Sequence, residues 1–146
     1  VHHVPVVVSP LIDGVLLDMY SYGDTTTADF QEMIRQSHAA ADASSHVWIH
    51  LLFDTRHVSS IPTVSTIMSI MRDTTVSHQR IGWVLIVRNP NPVIHFAVDV
   101  VIQLTQQRMR TFTSIHEAIE FLKTVDSTVD WALLPEDYAA RDATAR

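Results

Sequence analysis

The chain has 146 residues, 47% hydrophobic and 18% charged, with a formal net charge of -6, which is the make-up of one globular domain with one core. The negative balance opposes a polyphosphate backbone, so nucleic acid is not an expected partner. There is no cysteine, which excludes disulfides, thiolate chemistry and Cys-based zinc sites, and the three glycines are too few for a phosphate-cradling loop.

No apolar run reaches the 18 or so residues of a membrane span and no basic segment precedes a secretory core, so a cytoplasmic protein without a membrane span is expected. Residues 4–8 (VPVVV) predict a short strand that Pro5 pushes to a sheet edge. The turn signal Asp13-Gly14 joins it to a second strand over 15–22. Thr26 and Asp29 have capping-box spacing, and Phe30, Met33, Ile34, Ser37 and Ala41 recur with helical period, predicting a helix over 26–43. Residues 47–54 (VWIHLLFD) form an almost continuous apolar run, as suits a strand covered on both faces. Asp54 closes that run, a loop is predicted over 55–61, and Pro62 is placed at the first position of a helix over 62–75 with a buried stripe of Val64, Ile67, Met68 and Met71. Residues 80–88 (RIGWVLIVR) predict a second interior strand. Asn89-Pro90-Asn91-Pro92 is a turn into a helix over 92–107, and 109–112 is a short edge strand. Ser114 and Glu117 open the last helix, which carries Ile115, Ala118, Ile119 and Leu122 to about position 125.

The order β-β-α-β-α-β-α-β-α predicts an α/β fold: a single-domain, mainly parallel β-sheet with four helices outside. That domain takes residues 1–126. Residues 127–146 lose periodicity and are expected to pack on the domain or on a partner.

A strand that ends in a carboxylate and turns into a helix is where α/β proteins keep ligands, so Asp54, His57, Ser59, Ser60 and Thr63 are the first candidate binding residues. The alternative for Asp54 is structural, its carboxylate capping the loop through the amides of Val58 and Ser59. Asp18, Asp24 and Asp54 have the composition of a hydrolase cluster, but no serine sits in GxSxG and the histidines form no recognisable triad. No metal or cofactor is expected. His46 and His50 lie roughly 13 Å apart along a strand, and His95 with Asp99 lacks a third ligand. In the third helix, His95, Asp99 and Gln103 make one thin polar stripe, while Val93, Phe96, Ala97, Val100, Val101, Ile102 and Leu104 cover more than one sheet-facing side. Either the tail, with Trp131, Leu133, Leu134 and Tyr138, folds over this surface, or Phe96, Val100 and Leu104 meet a partner or border an apolar ligand.

In order and spacing, GDTTTADF, LLFDTRHVSSIP, RIGWVLIV and RMRTFTSIHEAIEFL resemble the STAS-like, or SpoIIAA-like, superfamily over about residues 12–125. The superfamily includes anti-sigma-factor antagonists and many bacterial proteins without an assigned role. The resemblance implies the fold and a partner-binding surface around the loop after the central strand. By resemblance the phosphoacceptor position is Thr63, but the family's preceding Asp is Pro62, the following hydroxyl is Val64 and the Gly is Ser65, so no regulated phosphorylation is expected.

These readings favour a non-enzymatic regulatory or interaction domain that acts by protein–protein binding, as a homodimer or with a regulatory partner. The alternative is a carrier or sensor for a small apolar or lipid-like molecule, and the third is a small hydrolase using Asp54. A flat apolar face would favour the first, an apolar cavity beside the third helix the second, and convergence of Asp54, His57 and a hydroxyl the third.

Overall fold

The computed structural model describes residues 6–73, 79–105 and 108–144. Its elements are β1 (Val6–Ile12), β2 (Leu16–Asp24), α1 (Thr27–Ala43), β3 (Ile49–Ser60), α2 (Val64–Asp73), β4 (Ile81–Val87), α3 (Pro92–Thr105), β5 (Met109–Phe112) and α4 (Ile115–Val125), followed by 3₁₀ turns at Trp131–Leu133 and Ala140–Thr144. The strands lie in the order β1-β2-β3-β4-β5. β1 is antiparallel to β2 and every other pair is parallel, as the element order predicts. The expected ends at 4–5, 74–75 and 106–107 lie outside the described residues.

Local chemistry sets most boundaries. Gly14 takes φ 72 in the β1–β2 turn, a conformation that glycine adopts without a Cβ penalty. Thr26 and Asp29 cap α1 reciprocally, through Asp29 N–H to Thr26 Oγ1 at 3.2 Å and Thr26 N–H to Asp29 Oδ2 at 2.8 Å. At α4, Ser114 Oγ accepts from Glu117 N–H, while the Glu117 carboxylate takes the Thr113 hydroxyl.

Several boundaries differ from expectation: β1 runs to Ile12 instead of position 8, β2 to Asp24 instead of position 22, and β3 starts at Ile49 instead of position 47. β3 does not end at Asp54. It pairs with β4 only as far as Asp54↔Val87, then continues beside β2 through Tyr22↔His57, Gly23↔Val58 and Asp24↔Ser60. On the side that β4 vacates, the Asn89 amide donates to the carbonyls of Thr55 and Val58, satisfying backbone groups that a loop would have turned to water. Pro62 is not the first helical residue of α2 either. Thr63 caps that helix, its Oγ1 accepting from Thr66 N–H at 3.2 Å and its carbonyl accepting from Ile67 N–H.

The helices divide three to one across the sheet. Leu17, Met19, Leu51, Phe53, Val84 and Ile86 meet α1 and α3, and α2 joins those helices in a contiguous cluster around Ile34, Ile67, Ile70 and Val101. On the opposite face Leu16, Leu52, Leu85 and Val87 meet α4, and the tail packs beside α4 through Val129, Trp131, Leu134 and Tyr138. The tail therefore does not cover α3, because it lies across the sheet from it, and Leu133 points outward.

The root of the tail is tied to the sheet by a buried pair. His50 Nε2 lies 2.8 Å from Asp126 Oδ2, and Trp83 N–H donates to His50 Nδ1 at 3.0 Å. With Nδ1 accepting, the single ring proton sits on Nε2 and the imidazole is neutral; burial pushes its pKa down and Asp126 only partly offsets that. Gly82 makes room for this ring, since a Cβ there would stand 2.7 Å from two His50 ring atoms. Gly82→Ala is therefore expected to shift the imidazole off both partners and cost about 1–3 kcal/mol, measured as a lower urea midpoint with an unchanged slope.

Candidate functional site

The sheet's two faces build two separate sites. Facing α1–α3 is a cleft of about 140 Å³. Its floor is Leu51, Phe53, Val84 and Ile86 from β3 and β4, its walls come from Phe30, Met33 and Ile34 of α1, Ile67 and Met71 of α2, and Val98 and Val101 of α3, and one lip is Thr55, Val58, Ile61 and Pro62. No Asp, Glu, Lys or Arg lines it. Of its hydroxyls, Ser37 donates to the Met33 carbonyl at 2.7 Å and Thr55 to the Val87 carbonyl at 2.7 Å. The Thr25 hydroxyl is buried with no hydrogen-bond partner among the described residues.

The other face holds a charge cluster. Alternation along β3 places His50, Leu52 and Asp54 on this side, and Asp54 is 0% exposed. Arg56 Nε and Nη2 reach its two oxygens at 2.9 Å each, and Arg141 Nε reaches Oδ2 at 3.0 Å. Arg141 also grips Asp18 with both Nη atoms at 2.8 Å, and Arg56 Nη1 bonds Asp142 at 2.8 Å. Burial pushes the Asp54 carboxyl up, but the Arg56 guanidinium, helped by Arg141, outweighs it and holds the group below the usual carboxylate range.

The residues singled out from the sequence fall into neither cleft nor catalytic constellation. His57 is exposed and its Nδ1 pairs with the Tyr20 hydroxyl at 3.0 Å. Ser59 and Ser60 both donate to Asp24 Oδ1, and Thr63 donates to Thr66 Oγ1. Asp54 does not cap a loop, because β3 runs on and the carboxylate turns to the arginines. Phe96 and Leu104 point outward at 69% and 58% exposure, Val93 beside them at 76%, and Val100 is half-buried. His95 Nε2 lies 3.3 Å from Asp99 Oδ2. Among the described residues no three His, Cys, Asp or Glu side chains are grouped to hold a metal ion, and no helix is long and apolar enough to cross a membrane.

Sequence reasoning missed Tyr20, Arg56, Arg141 and Asp142. Arg56 had a signal, since Asp54 and Arg56 at i, i+2 share a strand face. Arg141 and Asp142 had none, sitting in a stretch without period.

Removing the Asp54 charge leaves two guanidinium groups facing a buried amide, so Asp54→Asn is expected to cost about 3 kcal/mol at neutral pH. The sign with pH follows from the depressed carboxyl: its contribution is present above the unfolded value near 3.9 and lost as pH falls through the folded one. Urea titrations of variant and parent are expected to differ at pH 7 and to converge as pH drops below 4.

No family model matches the sequence, and no curated protein matches it. Solved structures do. A protein of the DUF3478 family with a SpoIIAA-like fold from Shewanella loihica aligns with a TM-score of 0.56 at 15% identity, over 80% of this chain and 91% of its own. The anti-sigma factor antagonist SpoIIAA in its unphosphorylated form aligns with a TM-score of 0.51 at 14% identity, over 84% of this chain and 99% of its own. At these identities the likeness is one of architecture, and it agrees with the one read from the sequence motifs: the chain has the SpoIIAA-like fold.

Proposed function

We propose that this chain is a non-enzymatic binding domain that holds a small apolar molecule in the cleft between the sheet and α1–α3. The observation that supports it is the lining itself, a half-open space of about 140 Å³ without a carboxylate, ammonium or guanidinium. An apolar cavity of about 150 Å³ accepts a benzene-sized guest, which sets the size class for the buried part of the ligand, and the opening leaves room for a tail. A ligand with one polar atom fits best, since the Thr25 hydroxyl lacks a partner and an unmet buried hydroxyl costs about 1–3 kcal/mol. The test is titration with the fluorescent probe N-phenyl-1-naphthylamine. Saturable 1:1 binding that Val101→Trp abolishes, while the fold is kept, is the expected result. Unsaturable binding, or binding that the tryptophan leaves untouched, sinks the reading.

A second reading concerns the outer stripe of α3. Val93, Phe96 and Leu104 expose large apolar side chains in a row, with Val100 between them, and exposed apolar patches mark interaction surfaces. A protein partner also agrees with SpoIIAA, which is by name an antagonist of an anti-sigma factor. The partner is a second copy of this chain or a regulatory protein in the cytoplasm, docking on Phe96, Val100 and Leu104. Thr63 takes no part as a phosphoacceptor, because its hydroxyl already caps α2. Sedimentation of the parent chain and of Val100→Glu checks the homodimer. A dimer that the glutamate converts to a folded monomer is expected, and identical sedimentation of the two removes the stripe from consideration.

A further inference from the structure

The face that carries α4 also carries a socket, and the chain fills it with its own tail. Arg141 and Asp142 are adjacent in sequence and are met by opposite chemistry. Asp18 and Asp54, 5% and 0% exposed, take the Arg141 guanidinium from two sides, and the Tyr20 ring lies beneath it with Cζ 4.6 Å from the centroid. Beside them, Arg56 Nη1 and the backbone N–H groups of Ile115 and His116 at the start of α4 take the Asp142 carboxylate at 2.8, 2.9 and 3.0 Å. A bidentate carboxylate with an aromatic floor is specific for a planar guanidinium rather than for any cation. Helix N–H groups with an arginine are the matching device for a carboxylate.

The socket and its occupant differ in how they are held. The socket belongs to β2 and β3 of the sheet and to the first turn of α4. The occupant arrives on a strap from residue 127 to residue 144 that contains only two short 3₁₀ turns, neither with a buried residue. The strap is anchored at its root, where Trp131 Nε1 donates to the Asp126 carbonyl and Asp126 holds His50. Its far end is held by the Arg141 and Asp142 contacts and by Tyr138, whose hydroxyl meets His116 Nδ1 at 3.1 Å. The strap's apolar side chains Val129, Trp131, Leu134, Tyr138 and Ala139 lie half-buried against the α4-side core and none is fully buried, and a segment held in this way opens at lower free energy than the sheet.

We propose that this socket is a recognition site for an arginine–aspartate pair, filled in cis by the strap, and that a protein partner presenting such a pair on an irregular segment displaces Arg141 and Asp142 and docks in their place. The site is distinct from the apolar cleft, which lies across the sheet, and it stands or falls separately from a ligand there.

The test uses the full chain. Isothermal titration with a blocked peptide of residues 136–146 (EDYAARDATAR) measures docking in trans in the parent and in Arg141→Ala. In the parent the strap competes, and the apparent affinity falls by the fraction of time the socket is empty. Arg141→Ala, whose strap has lost its hold, is expected to bind the peptide about tenfold tighter or more than the parent does. The same peptide with alanine in place of Arg141, its Arg146 kept, is expected to bind neither. Methylguanidinium is expected to raise the melting temperature of Arg141→Ala more than methylammonium does at equal ionic strength. Should Arg141→Ala not fold, Arg141→Lys keeps a charge between the carboxylates but loses the fork, and its affinity for the peptide is expected to exceed the parent's. Peptide binding that does not depend on the peptide's Arg141, or no binding to either variant, overturns the proposal. Equal effects of the two small cations overturn it as well, since they would make Arg141 a counter-charge and nothing more.

Discussion

Crossover handedness is the constraint on which the rest of this structure depends. The parallel strands β2, β3, β4 and β5 lie side by side in chain order, so each connection steps in the same direction, and right-handed connections that step one way put their helices on one face. α1, α2 and α3 accordingly share a face. Among the described residues the other face is covered by the chain beyond β5, namely α4 and the tail. A strand order that never reverses among its parallel members also has no switch-point crevice at the strand ends, which is where open α/β sheets usually seat ligands.

The unequal division of helices explains both sites. Three helices meeting over Leu51, Phe53, Val84 and Ile86 leave a gap where their flanks diverge, and that gap is the apolar cleft. On the opposite face a single helix is too narrow for the sheet, so the area above β2 and the C-terminal half of β3 is left to the tail. Here the strands present Asp18 and Asp54 instead of aliphatic side chains, and a buried carboxylate is tolerated only when it is paired and hydrogen-bonded. Arg56 comes from the same strand, but Arg141 and Asp142 come from 86 or more positions away. The tail is thus part of the sheet's cover, held by charge above Asp18 and Asp54 and by Val129, Trp131, Leu134 and Tyr138 beside α4.

The candidate sites were legible in the sequence as elements but not as faces. β3 and α3 both contribute to the cleft, yet at its lip and wall the residues that reach it are Thr55, Val58 and Val101, next to Asp54, His57, Ser59 and Val100, on which the sequence reading settled. In a strand a step of one residue reverses the face, and VWIHLLFD alternates too weakly to show which side is which. The extension of β3 to Ser60 was hidden for a related reason. TRHVSS pairs with only one neighbouring strand, and polarity at a sheet margin looks the same as polarity in a loop.

What the sequence by itself determined is the list of elements, their types and their order. Hydrophobic period, the Thr26 and Ser114 caps, the Asp13-Gly14 turn and Pro92 are local signals, each acting within a few residues of the boundary it sets. From that order came the α/β class, and the SpoIIAA-like architecture came from the resemblance that the motifs carry. Tertiary structure decided the rest: that β3 outruns β4, that the tail crosses to the face of α4, and that Asp18, Asp54 and Arg141 meet. Those outcomes depend on contacts between segments far apart in the chain, whose free energies are settled by shared burial and charge pairing and leave no periodic trace in either segment.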